Sequence, residues 1–281
     1  KLWQSTASAV RDVIAKSGIR PEEIAGIGNT GHGNGIYLLD KQGNPLRNGI
    51  QSMDTRAAGI VIEWIERDLH AQVFPYMLQI LWPAQPTALL AWIKENEPQN
   101  YENIGAILMV KDYIMYRLTG EVSGDYTDMS GANLMDVRNK SYSKELMDLY
   151  GLSEVYEALP PLKQSSEIAG QVTPTAAKET GLAVGTPVVG GLFDVDASAI
   201  GSGVINANQA CLVMGSWSIN EIITEDPIVD PSIFMTTIFA DPSLFLTIEG
   251  SATSATNLEW FVQQCCGDER VEAQKRGVSV Y

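Results

Sequence analysis

Gly190-Gly191-Leu192-Phe193-Asp194-Val195-Asp196-Ala197-Ser198 is the stretch on which the reading of this 281-residue chain turns. Residues 187–193 form a short apolar run punctuated by glycines, the pattern of a buried strand. Asp194 stands where that strand ends, and the small residues after it open a helix. Open α/β sheets place their ligand crevice at such a junction. A carboxylate there is a candidate general base. The plainer reading is a helix cap, because an aspartate before a helix accepts hydrogen bonds from the free N–H groups of its first turn.

Working outward, helical and strand patterns alternate, which predicts an α/β architecture. Residues 2–16 place Leu2, Trp3, Val10, Val13 and Ile14 near helical spacing, and Gly18 ends the run. No strand precedes that helix, and Val280-Tyr281 stops without a cap, so the natural protein is expected to extend beyond both ends. Short strands are expected over 24–29 and 36–39, around Gly31-His32-Gly33-Asn34-Gly35, with a turn over 40–45. Helices are expected over 56–69, 87–96, 113–118 and 144–150, with a buried strand over 106–110. Pro160-Pro161 begins an irregular stretch, and Thr173-Pro174 opens a short helix that Gly181 closes. After Ser202-Gly203 the pattern changes to strands, over 210–214, 219–224, 233–239 and 244–248. Two units follow, 1–203 and 204–281. A last helix over 253–266, carrying Leu258, Trp260, Phe261 and Val262, is expected to pack on the second unit.

Nineteen basic against thirty-four acidic residues give a net charge of −15, which excludes nucleic acid and anionic membrane as main partners. A bound nucleotide would need helix ends, backbone N–H groups and a metal to oppose that charge. No apolar run is long enough to cross a membrane, and the first residues lack the apolar core of a secretory signal. The three cysteines, two of them adjacent at Cys265 and Cys266, fit neither a disulfide framework nor a zinc site. Reduced thiols in a cytoplasmic protein are the expectation. His32 and His70 are the two histidines, so a histidine-rich metal centre is excluded and any metal would be a hard ion on oxygen ligands.

Three further segments place glycine or polar groups at strand ends. In Thr30-Gly31-His32-Gly33-Asn34-Gly35 the glycines let the backbone approach a ligand while His32 and Asn34 can bond hydroxyls, although a tight turn explains the pattern as well. In Ser52-Met53-Asp54-Thr55-Arg56 a helix cap with a surface ion pair competes with ligand binding. Val213-Met214-Gly215-Ser216-Trp217 runs a strand into Gly-Ser, whose N–H groups and hydroxyl suit a phosphate. Trp82 and Trp217 could stack on a sugar or base, or fill core.

In this order the segments resemble the FGGY family of carbohydrate kinases. The likeness is carried by residues 26–33 with Leu38-Leu39-Asp40, then Asp54-Thr55-Arg56, residues 92–98, Lys111-Asp112-Tyr113 and Arg117-Leu118-Thr119-Gly120. It continues through residues 125–131, residues 185–191 with Asp194, Gly215-Ser216-Trp217 and Glu249-Gly250-Ser251. Within the family the chain is most similar to the xylulose kinases, in particular the L-xylulose kinase branch. The resemblance implies a ribonuclease-H-like, actin-like ATPase fold, with the first domain nearly whole and the second partial. It implies a small sugar or polyol as partner, ATP and Mg²⁺ as cofactors, and a homodimer as a possible assembly. Asp194 would be the base that takes the proton of the attacking sugar hydroxyl, a step that otherwise rests on positioning and charge neutralisation. His32, Gly33 and Asn34 would contact the sugar, with Asp54 and Trp82 near the same pocket, and Gly215, Ser216 and Trp217 would contact the nucleotide.

The chain departs from the family pattern at Leu89, where a lysine is usual, and at Asn34, where D-xylulose kinases tend to carry histidine. An Asp-x-Gly-Thr phosphate hairpin and a glycine-rich adenosine region are missing. The 281 residues alone are therefore expected to bind sugar weakly and not to turn over ATP. Two other readings stand beside this one. Phe193-Asp194-Val195-Asp196 also resembles the nucleophile motif of haloacid-dehalogenase phosphatases, with Asp194 phosphorylated and Asp196 as the acid. A non-catalytic sugar-binding or scaffold module on the same fold is the third.

Overall fold

The computed structural model describes residues 1–215, 218–251 and 253–281. Its first helix, Leu2–Ser17, closes at Gly18, whose φ of 70° is the left-handed conformation a helix end favours. Trp3 and Ala7 are buried, in a cluster with Ala176 of the helix Pro174–Thr180 and with Met115 and Leu118 of the helix Val110–Thr119.

The site hangs from a parallel pairing of two distant segments. Ile27 bridges Val188, and the strand Thr30–Gly31 pairs with Leu192–Phe193. The continuous strands expected over 24–29 and 187–193 are shorter and broken. The break lies at Gly190-Gly191, between Pro187–Val189 and Leu192–Phe193. Gly191 has φ 75°, and a Cβ there would lie 2.3 Å from the Asn29 carbonyl oxygen, so the two backbones press too closely for a regular ladder. Ile168–Gln171 adds antiparallel to Pro187–Val189, and Tyr37–Asp40 pairs with Ile104–Leu108. The expected turn after Asp40 forms because its carboxylate accepts the N–H groups of Gln42 and Asn44, at 2.9 and 2.8 Å.

Pro86–Asn96, Val110–Thr119, Lys144–Leu149 and Pro174–Thr180 are helical near the expected places. The helix expected over 56–69 is instead Ala58–Glu66, followed by a separate helix Leu69–Met77. Asp68, at φ 56°, makes the break. Pro75 hides the second helix from sequence reading, because proline ordinarily ends a helix. Burial of Leu69, Val73, Phe74 and Met77 outweighs that cost here.

The second unit is an antiparallel sheet in the order Ala210–Met214, Ser218–Thr224, Phe245–Ser251, Met235–Ile238. Its inner face shares one apolar cluster with Phe193, Val195 and Ala199 of the strand-to-helix junction. Its outer strand is sewn to the first unit: Ile80 N–H donates to the Phe234 carbonyl at 3.0 Å, and Thr236 N–H to that of Leu78 at 2.9 Å. The helix expected over 253–266 is Ala255–Cys265, and it joins the sheet where Ala255 N–H donates to the Gly215 carbonyl. Its expected packing is only partly realised. Val262 is buried, but Leu258, Trp260 and Phe261 are 52%, 62% and 50% exposed, and Leu212 and Met214, on the sheet face turned away from the 193–199 junction, are exposed as well. A further helix, Gly267–Arg276, follows; it buries none of its residues, so no apolar pattern announces it.

Candidate active site

Asp194 is the first residue of the helix Asp194–Gly201, whose N-cap is Phe193 and which has no side-chain capping bond. The side chain thus stands one place past the capping position, with the Val195 N–H of the first turn facing it. It is half-buried and lines a cavity of about 200 Å³. Burial pushes its pKa up, while the Val195 N–H and the nearby His32 pull the other way.

His32, Gly33, Asn34 and Trp82 line the same cavity. The loop carrying the first three is bent by backbone in the left-handed region, with Asn34 at φ 61° and Gly35 at φ 70°. It is thus both the tight turn and the cavity wall. The Asn34 side-chain oxygen is buried without a partner among the described residues, as is Trp82 Nε1. Each offers a ligand a hydrogen bond that the protein does not fill. His32 is oriented by Tyr37, whose hydroxyl is 3.5 Å from Nε2. Trp82 meets Phe234 edge-on at 5.9 Å, and Phe234, Met235, Ile219 and Ile248 give the opposite wall from the second unit. That wall is apolar, so the polar groups that could read hydroxyls are gathered on one side.

Asp54 is not among the lining residues. Its carboxylate holds Arg56 in a fork at 2.8 and 2.9 Å, and the guanidinium, which lies over the Trp92 ring, keeps the Asp54 carboxyl below the usual range. Ser52 and Met53 face the cavity in its place. Gly215 follows the strand Ala210–Met214 and is not among the lining residues, and Ser216 and Trp217 fall outside the described residues. Asp196, the partner acid of the phosphatase reading, is fully buried and accepts the Ala240 N–H at 3.1 Å. It faces the interior, which removes the second carboxyl that reading needs.

Behind the junction lies an ionic network that no single segment of the sequence announces. Lys111 Nζ is 2.6 Å from Asp125 Oδ1, in contact with Asp112 and 3.8 Å from Asp128, with every one of these side chains fully buried. Burial alone would lower Lys111, but the carboxylates around it hold it above its ordinary value. Burial pushes Asp128 well up, against the pull of Lys111. Asp125 continues toward the site. Its Oδ2 accepts the Thr127 hydroxyl at 2.6 Å, and Thr127 Oγ1 accepts the Phe193 N–H at 2.9 Å. On the sheet side Glu221 is 1% exposed with both oxygens unpartnered among the described residues, and burial together with Asp194 pushes its pKa up to about 7. Clustering of Lys111, Asp112, Asp125 and Asp128 in two short motifs is the signal a sequence could give; nothing local announces Glu221. Among the described residues no group of acidic, histidine or cysteine side chains is arranged to hold a metal.

A two-part α/β body with a carboxylate at a strand end, facing a cleft between the parts, has the actin-like ATPase sugar kinase fold. The chain belongs to the FGGY family of carbohydrate kinases: residues 1–201 match that family's N-terminal domain. It is 41% identical to a probable L-xylulose kinase of Pasteurella multocida, over 94% of this chain and 55% of that protein. It is 39% identical to the L-xylulose/3-keto-L-gulonate kinase of Escherichia coli, over 94% of this chain and 53% of the other. The solved xylulose kinase of Rhodospirillum rubrum superposes with a TM-score of 0.87 at 26% identity, over 97% of this chain and 56% of that one. The chain thus spans about half the length of the relatives it matches.

Proposed function

We propose that this chain carries the sugar site and catalytic base of a kinase that phosphorylates a small sugar, a pentulose of the xylulose type or a related polyol. The observation that carries this reading is the convergence of Asp194, His32, Asn34 and Trp82 on one cavity. The kinship with L-xylulose kinases supports the choice of sugar class.

The chain's own groups divide the work. Asn34 and His32 bond sugar hydroxyls, and Trp82 offers a ring face to the carbon skeleton. Asp194 accepts the proton of the attacking hydroxyl; its raised pKa makes it a better acceptor than an exposed carboxylate. The helix N-terminus on which it sits favours the charged form needed before that step. ATP, with Mg²⁺, supplies the phosphoryl group and the charge neutralisation when bound. The residues present fit that pair only in part: Gly215, at the end of a strand and without a side chain, lets backbone approach a phosphate, whereas among the described residues no side chains are grouped to hold Mg²⁺. We take 1–203 as the sugar-binding unit and 204–281 as the start of the nucleotide-binding one, supported by the end of the family match at residue 201. The free Cys211, Cys265 and Cys266 support a cytoplasmic setting, and among the described residues no helix is long and apolar enough to cross a membrane.

Calorimetry of pentuloses and polyols on the 281 residues, beside ATP turnover by the longest natural protein containing them, tests the reading. Sugar binding by the shorter chain with turnover only by the longer is expected. Normal turnover by the shorter chain, or no sugar bound by either, contradicts it.

A further inference from the structure

We propose that Thr127 is a positioning residue for Asp194: its hydroxyl, oriented by Asp125, holds the Phe193 backbone and so fixes where the base enters the cavity. This inference rests on the reading of Asp194 as the base.

The direction of the Thr127 hydroxyl is determined rather than free. It has one proton, and that proton goes to Asp125 Oδ2 at 2.6 Å. Asp125 cannot move to release it, because Oδ2 also accepts the Thr127 N–H at 2.9 Å and Oδ1 faces Lys111 at 2.6 Å. The Oγ1 lone pairs are left to the Phe193 N–H, 2.9 Å away. A hydroxyl already donating to a carboxylate is the more polarised acceptor.

Phe193 is the point at which such a hold matters. It is the last residue of its strand and the N-cap of the helix that Asp194 begins. No turn of helix precedes it to take its N–H, and the residue is buried, so without Thr127 that donor would be stranded. Gly31 pairs with Phe193 in the parallel ladder and Thr127 binds its N–H, so the backbone immediately before Asp194 is held by both neighbours. The ring is confined as well: a Cβ on Gly33 would lie 2.2 Å from it, and one on Gly131, at the end of the helix that carries Thr127, 3.1 Å. Thr127 itself is fully buried and does not line the cavity, so it acts through Phe193 and not on a substrate.

The helix Tyr126–Gly131 also carries a natural control. Ser130 Oγ donates to the Thr127 carbonyl within the helix at 2.9 Å and accepts the Ile238 N–H at 2.9 Å, the latter a buried side-chain-to-backbone bond of the same kind that leads to the second sheet and not to Phe193. Loss of either hydroxyl strands one buried donor, but only one of them lies next to the base.

The test is a comparison of Thr127→Val, Thr127→Ser and Ser130→Ala in the longest natural protein containing this chain, with melting temperature, sugar KM and kcat per folded molecule measured for each. Small misplacements of a reacting group cost up to about a hundredfold in rate. Thr127→Val should lower kcat roughly 10- to 100-fold with sugar KM within about threefold, and Thr127→Ser should restore kcat to within about threefold. Ser130→Ala should lower the melting temperature by a similar amount while holding kcat within about threefold. Equal kcat losses in Thr127→Val and Ser130→Ala, or a fully active Thr127→Val, overturn the positioning role. Should Thr127→Val fail to fold, the decision falls to Thr127→Ser: a kcat loss above tenfold in a fully folded Thr127→Ser also overturns it. A wild-type protein without kinase activity would instead overturn the underlying assignment of Asp194.

Discussion

The ring of Phe193 occupies the space where Gly33 would carry a side chain: a Cβ there would lie 2.2 Å from Cε2 and 2.5 Å from Cζ. The residue before the base and the loop that faces the sugar are thus fitted to each other, and the fit requires a glycine. Gly33→Ala must displace either the loop or the ring. We expect a loss of about 1–3 kcal/mol in stability, the usual cost of overpacking, and a sugar affinity at least tenfold weaker. Phe193→Leu in the same chain should recover part of both. Denaturant unfolding and calorimetry measure them, and an unchanged affinity in Gly33→Ala would show that the contact does not shape the pocket.

Glu221 gives the chain a pH dependence of stability. Its folded pKa, about 7, lies above the ordinary carboxylate value of 4.5, so between those values the folded protein holds a proton that the unfolded chain has released. Stability should therefore fall as pH rises through that window. Glu221→Gln cannot ionise, and its advantage over wild type should grow from near zero at about pH 4.5 to roughly 1–3 kcal/mol at pH 8, since each tenfold change in proton affinity is worth about 1.4 kcal/mol. Parallel stability curves for the two proteins across that range would show that Glu221 does not titrate as described.

Lys111 is enclosed by Asp112, Asp125 and Asp128, all of them fully buried. Removing the cation strands the carboxylates, and breaking a buried pair by one partner costs about 3–5 kcal/mol. Lys111→Met should accordingly unfold at much lower urea than wild type. A midpoint within error of wild type would mean that the carboxylates are neutral without it.

Asp54 makes the opposite case. The family resemblance puts it near the sugar pocket, while the Asp54-Thr55-Arg56 spacing itself allows a surface ion pair; its carboxylate holds Arg56, and its neighbours Ser52 and Met53 face the cavity. Asp54→Asn should leave sugar affinity within about threefold and cost less than about 1 kcal/mol, as partly exposed pairs do. An affinity loss above tenfold would place Asp54 at the ligand.

The residues legible in the sequence are those whose type and place are dictated together. Asp194 at a strand end, the glycines of 31–35 and the helix closed by Gly181 are local patterns with a local cause, and each stands where the pattern puts it. Resemblance places Trp82 at the cavity, and no pattern of its own does so. What escapes is nonlocal. Thr127 owes its place to a bond with Phe193, 66 residues away in sequence, and Glu221 to a sheet face whose neighbours are apolar. The helix Leu69–Met77 is hidden by Pro75, a breaker that burial overrides. The strands over 24–29 and 187–193 look longer in sequence than they are, because close approach at Gly191 cannot be seen from either segment alone.

The role proposed for Asp194 is to take the proton of the sugar hydroxyl. Asp194→Asn keeps the size and polarity of the side chain but removes its basicity. Phosphorylation of a pentulose by the longest natural protein containing this chain, measured beside sugar binding to the same variant, tests it most directly. A fall in kcat of about 10²-fold or more is expected, within the range that general-base catalysis supplies, with sugar affinity within about threefold. A variant that phosphorylates at the wild-type rate, or one that loses sugar binding and activity together, would contradict it.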